Sequence, residues 1–290
     1  MCRVSDEFEE CRQHLWAVAY RITGTISDAD DAVQDAWLRW QGTDRDAVVE
    51  PRAFLTTIVS RICYDMLTSA RARRESYVGE WLPEPLLSGD PNPEARITMD
   101  ESVSVAMLAV LERLSPAERT ALVLHDVFAV PFGEIAGIVG RSTQAVRQAA
   151  SRARRQVQEY GPRRSVDLPA HRKAVEAFAA AVETGDLPGL VAVLDPDVVW
   201  RADGGGVVNA ARVPVSGREK VSRLLTGLVE KFYVGRGLSA RLELVNSEPG
   251  LVIREASGAV NSVLAFSVHE GLITEVDVVL NPEKLRHLPM

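Results

Sequence analysis

From Arg141 to Gln158 the chain carries no acid, and Gln144, Arg147, Gln148, Ser151 and Arg155 recur there at helical spacing. Gln and Arg form paired hydrogen bonds to base edges in a major groove, while Ser and additional Arg hold phosphates. The opposite side of the same stretch is apolar, with Val146, Ala149, Ala150, Ala153 and Val157 forming one stripe. Upstream, Ala136, Gly140 and Val146 stand at i, i+4 and i+10. They supply a small residue for a close crossing, a residue suited to positive φ in a turn, and an apolar anchor. Ile135 and Val139 fill the underside of the first helix. The pattern is that of a helix-turn-helix whose second helix enters DNA. Ser142 or Thr143 is expected to cap that helix and leave its amides facing a phosphate. Gln144, Arg147, Gln148 and Ser151 are the expected base contacts, with Arg141, Arg152 and Arg155 mainly on phosphates. An ordinary amphipathic helix with a solvated basic face explains neither the tight turn nor the missing acids.

Two other stretches carry recognition chemistry. In "SDADDAVQDAWLRW", Ala29, Ala32, Val33, Ala36, Trp37 and Trp40 form an apolar stripe, with Ser27 or Asp28 as the expected cap. Asp31, Gln34, Asp35 and Leu38 form a second stripe. A solvated face has little use for Leu38 among acids, whereas a protein-binding face uses an apolar anchor in a charged surround. The helix expected from Pro51 to Arg74 buries Leu55, Ile58, Val59, Ile62 and Met66. Its other side carries Thr57, Arg61, Tyr64, Thr68 and Arg71, followed by Arg73 and Arg74. Arginines with an aromatic and hydroxyls suit a strand with unstacked bases, a weak signal when taken alone.

At 290 residues the chain has material for two or three compact units. Its net charge of -7 argues against a nucleic-acid binder only on average, because acids cluster near the front and arginines between 141 and 164. No apolar run approaches the ~20 residues of a membrane span, and the N-terminus does not resemble a secretory signal, so a cytoplasmic location is expected. Cys2, Cys11 and Cys63 have no metal-ligand or redox spacing, and the five histidines are scattered. No metal site, cofactor or catalytic group is expected in the helical part.

Residues 1–75 read as one helical domain and 100–164 as a second, the latter containing "LSPAER" with Ser115 as cap, Pro116 next and Glu118 closing a capping box. Residues 76–99 break helix repeatedly and read as a linker, yet contain the apolar "WLPEPLL". A free linker is polar; Trp81, Leu82, Leu86 and Leu87 are costly to leave in water. The segment reads either as a clasp onto a neighbouring domain or as a tether controlling domain geometry. Residues 165–290 pass from helices into strand-like stretches interrupted by a helix around 219–232, which predicts an α+β domain with a curved antiparallel sheet wrapped on helices. Asp203, Glu243, Glu255 and Asp277 could include a pocket acid, but surface or loop positions are expected for them.

The order of these parts resembles the extracytoplasmic-function sigma factors, specificity subunits of bacterial RNA polymerase. "DADDAVQDAWLRW" is similar to that family's core-polymerase-binding segment, and "PRAFLTTIVSRICYDMLTSARARR" to its segment that melts and reads the −10 element. "LERLSPAERTALVLHDVFAVPFGEIAGIVGRSTQAVRQAASRARRQV" resembles the −35 reader. "WLPEP", "DGGG" and "NPEKL" point to the subgroup with a fused SnoaL-like domain. The resemblance implies a multidomain protein, two all-α sigma domains followed by an α+β SnoaL/NTF2-like domain, with core polymerase and promoter DNA as partners. It makes Trp81, Leu82, Pro83, Glu84, Pro85, Asp203, Gly204, Gly205, Gly206, Asn281 and Pro282 candidate regulatory residues, and leaves room for a small-molecule ligand. That subgroup carries a lysine after the glycines, where Val207 stands here. Two alternatives stay open: a one-component helix-turn-helix regulator with a ligand-binding domain, and an enzymatic SnoaL-like domain.

Overall fold

The computed structural model describes residues 3–74, 77–87, 104–161, 167–229 and 237–288, the side chains of 3–6, 45 and 70–74 excepted. These fall into two compact units. The first comprises residues 1–76, 92–101 and 110–161; the second comprises 77–91, 102–109 and 162–290.

The first unit is helical. Helices α1 (Arg3–Thr23), α2 (Ile26–Gln41) and α3 (Pro51–Arg74) pack mutually around Phe8, Leu15, Trp16, Ile22, Trp40, Leu55 and Val59, all of them buried. Trp16 donates its indole N–H to Asp30 at 2.6 Å, which satisfies its one polar atom inside the core. The cap of α2 is Thr25, whose hydroxyl accepts from the Asp28 amide at 3.2 Å. Ser27 and Asp28 lie within the first turn instead, because Gly24, at φ 79, redirects the chain one residue before the cap.

Helix α4 (Val105–Leu111) leads to α5 (Pro116–Leu122), α6 (Phe132–Val139) and α7 (Thr143–Tyr160). The start of α5 has the full capping box: Glu118 N–H bonds Ser115 Oγ and Glu118 Oε2 accepts from Ser115 N–H. Beyond α5 the helix widens into a π turn over Val123–Val127.

The second unit is α+β. Helices α8 (Leu168–Thr184) and α9 (Leu187–Val193) precede strand β1 (Leu194–Asp203). Then follow β2 (Val215–Ser216), α10 (Arg218–Leu228), β3 (Ser239–Val245), β4 (Glu248–Arg254), β5 (Val260–His269), β6 (Leu272–Val279) and α11 (Pro282–Leu285). The strands form one sheet of order β2-β1-β6-β5-β4-β3. An all-antiparallel run was the expectation; β1 and β6 instead pair in parallel, with Arg201 beside Asp277 and Asp203 beside Val279. The intervening helices and strands supply the long crossover that a parallel pair requires.

The sheet separates two apolar clusters. Val198, Trp200, Ala202, Leu264, Phe266, Val276 and Val278 face α8 and α10. Leu82, Leu87, Val105, Ala109, Val245, Val252, Val263, Val279, Leu285 and Leu288 make the cluster on the other side. Thus "WLPEPLL" is part of the sheet unit's core rather than a free connection. Pro83, Glu84 and Pro85 are buried along with its leucines.

Candidate functional site

The outward face of α7 follows from local sequence rules. Gly140 adopts left-handed φ 64 at the end of α6, ending the helix where a side chain would be strained. Ser142 rather than Thr143 is the cap of α7, its hydroxyl accepting from the Ala145 amide at 3.2 Å. Val146, Ala149, Ala150 and Ala153 are buried, which turns the other face of α7 outward. Arg141, Ser142, Gln144, Arg147, Gln148, Ser151, Arg152 and Arg155 are all exposed, and Thr143 is half-buried. Arg152 bonds Glu118 at 2.7 Å and Arg154 forks onto Asp126 at 2.6 and 2.7 Å, so these two cations also brace α7 against the preceding helices.

On α2, Asp31, Gln34 and Asp35 are exposed and Leu38 is 57% exposed, while Ala29, Ala32, Val33, Ala36 and Trp40 are buried. On α3, Arg61 is exposed and Thr57 and Tyr64 are half-buried; Thr57 spends its hydroxyl proton on the Ala53 carbonyl at 3.1 Å. The side chains of Arg71, Arg73 and Arg74 lie outside the described residues.

In the sheet unit the motifs "WLPEP", "DGGG" and "NPEKL" converge on one buried carboxylate. Asp203, with 0% exposure at the end of β1, accepts from Tyr77 Oη at 2.5 Å and Gly205 N–H at 3.0 Å on one oxygen. Its other oxygen accepts from Leu82 N–H at 2.9 Å and Lys284 Nζ at 2.7 Å. Lys284 also donates to the Leu82 carbonyl and lies 3.7 Å from the centroid of the Trp81 ring. Asn281 donates to Tyr77 Oη at 3.0 Å and caps α11 by accepting from Glu283 N–H. Burial and the Asp203 carboxylate push the Tyr77 phenol above its ordinary range, which keeps it a donor. A Cβ on Gly205, at φ 64, would stand 2.5 Å from Asn281, so the loop needs glycine there for both conformation and space. Pro282 is exposed at the start of α11, and Gly206 and Val207 are exposed.

Further along the segment, Leu86 N–H donates to Asn246 Oδ1 at 3.0 Å, and Asn246 N–H returns a bond to the Leu86 carbonyl at 2.8 Å. Leu87 then bridges to Val245 at the end of β3. Residues 77–87 therefore form a strap held at two points, with a buried ionic latch at one end and a β-like bridge at the other.

Tyr77, Asn246 and Lys284 were not singled out from sequence. Lys284 sits inside "NPEKL" and supplies the latch's cation, although the subgroup's lysine position after the glycines is occupied by exposed Val207. The expectation of surface positions fails for two acids. Asp277 is 1% exposed and binds Arg201 at 2.6 Å, and Glu275 takes the other arm of that guanidinium at 2.6 Å. Burial disfavours the charge on Arg201, but the two carboxylates outweigh it and raise its pKa above the ordinary range. Asp203 is likewise buried, whereas Glu255 is exposed and Glu243 pairs with Arg254 at 3.3 Å. Among the described residues no group of three or more His, Cys, Asp or Glu is arranged to hold a metal ion, and no helix is long and apolar enough to cross a membrane.

Comparison with known proteins agrees with this layout. The model of Sigma-70 region 2 matches residues 8–73 and that of Sigma-70 region 4 matches residues 104–157. The ECF RNA polymerase sigma factor SigJ of Mycobacterium tuberculosis is 43% identical, over 98% of this chain and 94% of its own. The probable ECF RNA polymerase sigma factor SigI of the same species is 35% identical over 97% and 94%. The crystal structure of M. tuberculosis SigJ superposes with a TM-score of 0.80 and 39% identity, covering 98% of this chain and 99% of that one. Two helical sigma domains, an α+β sheet domain and similarity along nearly the whole length lead to one conclusion: the chain belongs to the extracytoplasmic-function sigma factors and is an RNA polymerase sigma factor of that type.

Proposed function

We propose that the sheet unit regulates this sigma factor by setting the reach of its two DNA-binding halves. The observation that carries this reading is the shared cluster in which Leu82 and Leu87, from one end of the connection, pack with Val105 and Ala109, from the other. A free chain over residues 77–104 would reach roughly 95 Å when extended. With both ends of the connection pinned to one cluster, the spacing of the halves depends on the pinning rather than on chain length.

Within the halves, we assign Asp31, Gln34, Asp35 and Leu38 to core polymerase. Thr57, Arg61, Tyr64, Arg71, Arg73 and Arg74 are assigned to the −10 element. Arg141, Ser142, Thr143, Gln144, Arg147, Gln148, Ser151, Arg152 and Arg155 are assigned to the −35 element. The exposure of the described members, apart from the half-buried Thr57, Tyr64 and Thr143, supports the assignment. The contacts around Asp203, Asp277 and Glu243 favour regulation over catalysis in the sheet unit, since each acid is already engaged by a cation. A small-molecule ligand there would act by binding the pinned and released arrangements unequally.

The test is run-off transcription with purified core polymerase on promoters of graded −35 to −10 spacing. The full chain is expected to show a narrow spacing optimum, and Lys284→Met to broaden it and change total transcript. Identical spacing profiles and yields for both proteins would refute the regulatory reading.

A further inference from the structure

The arginines of α7 are held in different ways. Arg152 and Arg154 each meet a carboxylate, Glu118 and Asp126 respectively, and donate guanidinium N–H groups to it. Arg147 makes no ion pair among the described residues. Its guanidinium lies instead 5.8 Å from the centroid of the Phe132 ring. A carboxylate occupies the same in-plane donors that a base edge needs. An aromatic face attracts the cation and leaves all five of its N–H groups free.

The ring beside Arg147 is itself fixed. Phe132 is the first residue of α6, and Pro131 before it holds an extended backbone at φ −62 and ψ 141. The His125 ring, on the π turn, stacks on Phe132 with centroids 3.8 Å apart and planes 26° apart. His125 is anchored in turn: its Nδ1 lies 3.0 Å from the Val130 carbonyl oxygen, which only accepts, so Nδ1 carries a proton. Val130 N–H closes back on the Leu124 carbonyl at 2.9 Å. The π turn, the start of α6 and the first half of α7 thus meet at one ring.

Given the assignment of α7 to the −35 element, we propose that Phe132, backed by His125, is the positioning residue for Arg147 and sets how sharply α7 discriminates bases. Arg147 stands one turn into α7, where a recognition helix places its side chains against base edges. Its side chain is exposed, and a free arginine there gives up many rotamers when it forms a paired contact with the O6 and N7 of a guanine. That contact requires the guanidinium plane in a narrow range of angles. A ring that holds the plane before DNA arrives lowers the cost for the matching base. It does nothing for phosphate contacts, which carry no sequence information. Loss of the ring therefore removes discrimination without removing phosphate contacts.

The experiment has a DNA-free arm and a transcription arm, both on the full chain. In the free protein, the Arg147 Hδ and Hε resonances are expected to show upfield ring-current shifts in wild type and in Phe132→Tyr. In Phe132→Leu, which keeps an apolar side chain but no aromatic face, they are expected at random-coil positions. With core polymerase, each variant is assayed on promoters carrying every base at each −35 position. Arg147→Ala is expected to lower discrimination at one position about tenfold or more. Phe132→Leu is expected to lower it about two- to fivefold at that same position, the strength of an exposed cation–π contact, and Phe132→Tyr to restore it. The salt slope of promoter binding should stay at the wild-type value in both Phe132 variants. The double variant Arg147→Ala/Phe132→Leu should lose no more than Arg147→Ala alone. Random-coil Arg147 resonances in wild type, discrimination retained or sharpened in Phe132→Leu, or a uniform loss at all positions overturns the proposal. Discrimination intact in Arg147→Ala, with the upfield shifts still present, would instead locate the failure in the assignment of Arg147 to a base, and the proposal would fall with it.

Discussion

Lys284→Met is the sharpest perturbation of the latch. The Lys284 and Asp203 side chains are 7% and 0% exposed, so methionine would leave a carboxylate uncompensated in the interior. Removing one partner of a buried ion pair costs about 3–5 kcal/mol. The contact with Trp81 at 3.7 Å adds about 1 kcal/mol. Undocking of the strap caps the loss, because Asp203 can then reach water. About 3–4 kcal/mol is therefore the expected drop in the free energy of strap opening, or a factor of roughly 100 to 1000. Hydrogen exchange reads that quantity directly, since Leu82 N–H is held by Asp203 and Leu86 N–H by Asn246. Both amides are expected to exchange faster in Lys284→Met, Leu82 most of all. Asp203→Asn should act similarly, because either flip of the amide turns its NH2 toward two donors: Leu82 N–H and Lys284, or Gly205 N–H and Tyr77 Oη. The double variant should lose less than the sum of the two, as neither charge is then stranded. Leu82 protection unchanged within about threefold in Lys284→Met would refute the reasoning that the ion pair, rather than the leucines, holds the strap.

Two other perturbations probe the helical unit. On α7, Arg147→Ala should cost about 1–3 kcal/mol at one promoter position and relax specificity there, whereas Arg155→Ala should weaken all sequences alike and lower the salt slope; binding titrations at several salt concentrations separate the two, and identical sequence-blind effects would undo the sorting. The second concerns His14, whose Nδ1 accepts from Arg52 at 2.9 Å while Nε2–H donates to Thr56 Oγ1 at 3.0 Å. Burial, followed by Arg52 and Arg21, lowers its pKa to about 4. The folded pKa lies below the unfolded one, so the unfolded chain takes up the proton first; stability is lost as pH falls from about 6.5 to about 4 and the loss levels off below that. Discounted for solvent screening at this half-buried site, the effect is about 1–2 kcal/mol, and urea midpoints of wild type and His14→Gln across that window should diverge at pH 7 and converge toward pH 4.

What the sequence determined by itself was everything governed by residues within a turn or two of each other. The helix-turn-helix was legible because Gly140, Ser142 and the stripe from Val146 to Ala153 act through local dihedrals, one cap and a 3.6-residue period. The exposed Leu38 amid acids was legible for the same reason. The tertiary structure decided the rest. Nothing in strand alternation says that Asp277 is buried, because its neutralising Arg201 lies 76 residues earlier and meets it only through the parallel β1–β6 register. Lys284 and Asp203 stand 81 residues apart, and Phe128 reaches His14 and Arg21 across more than a hundred. The apolar strap announced that it needed a partner, but not which one. Burying apolar surface is favourable against any suitable surface, whereas choosing between surfaces depends on where a distant Asn246 and Asp203 offer hydrogen bonds to its backbone.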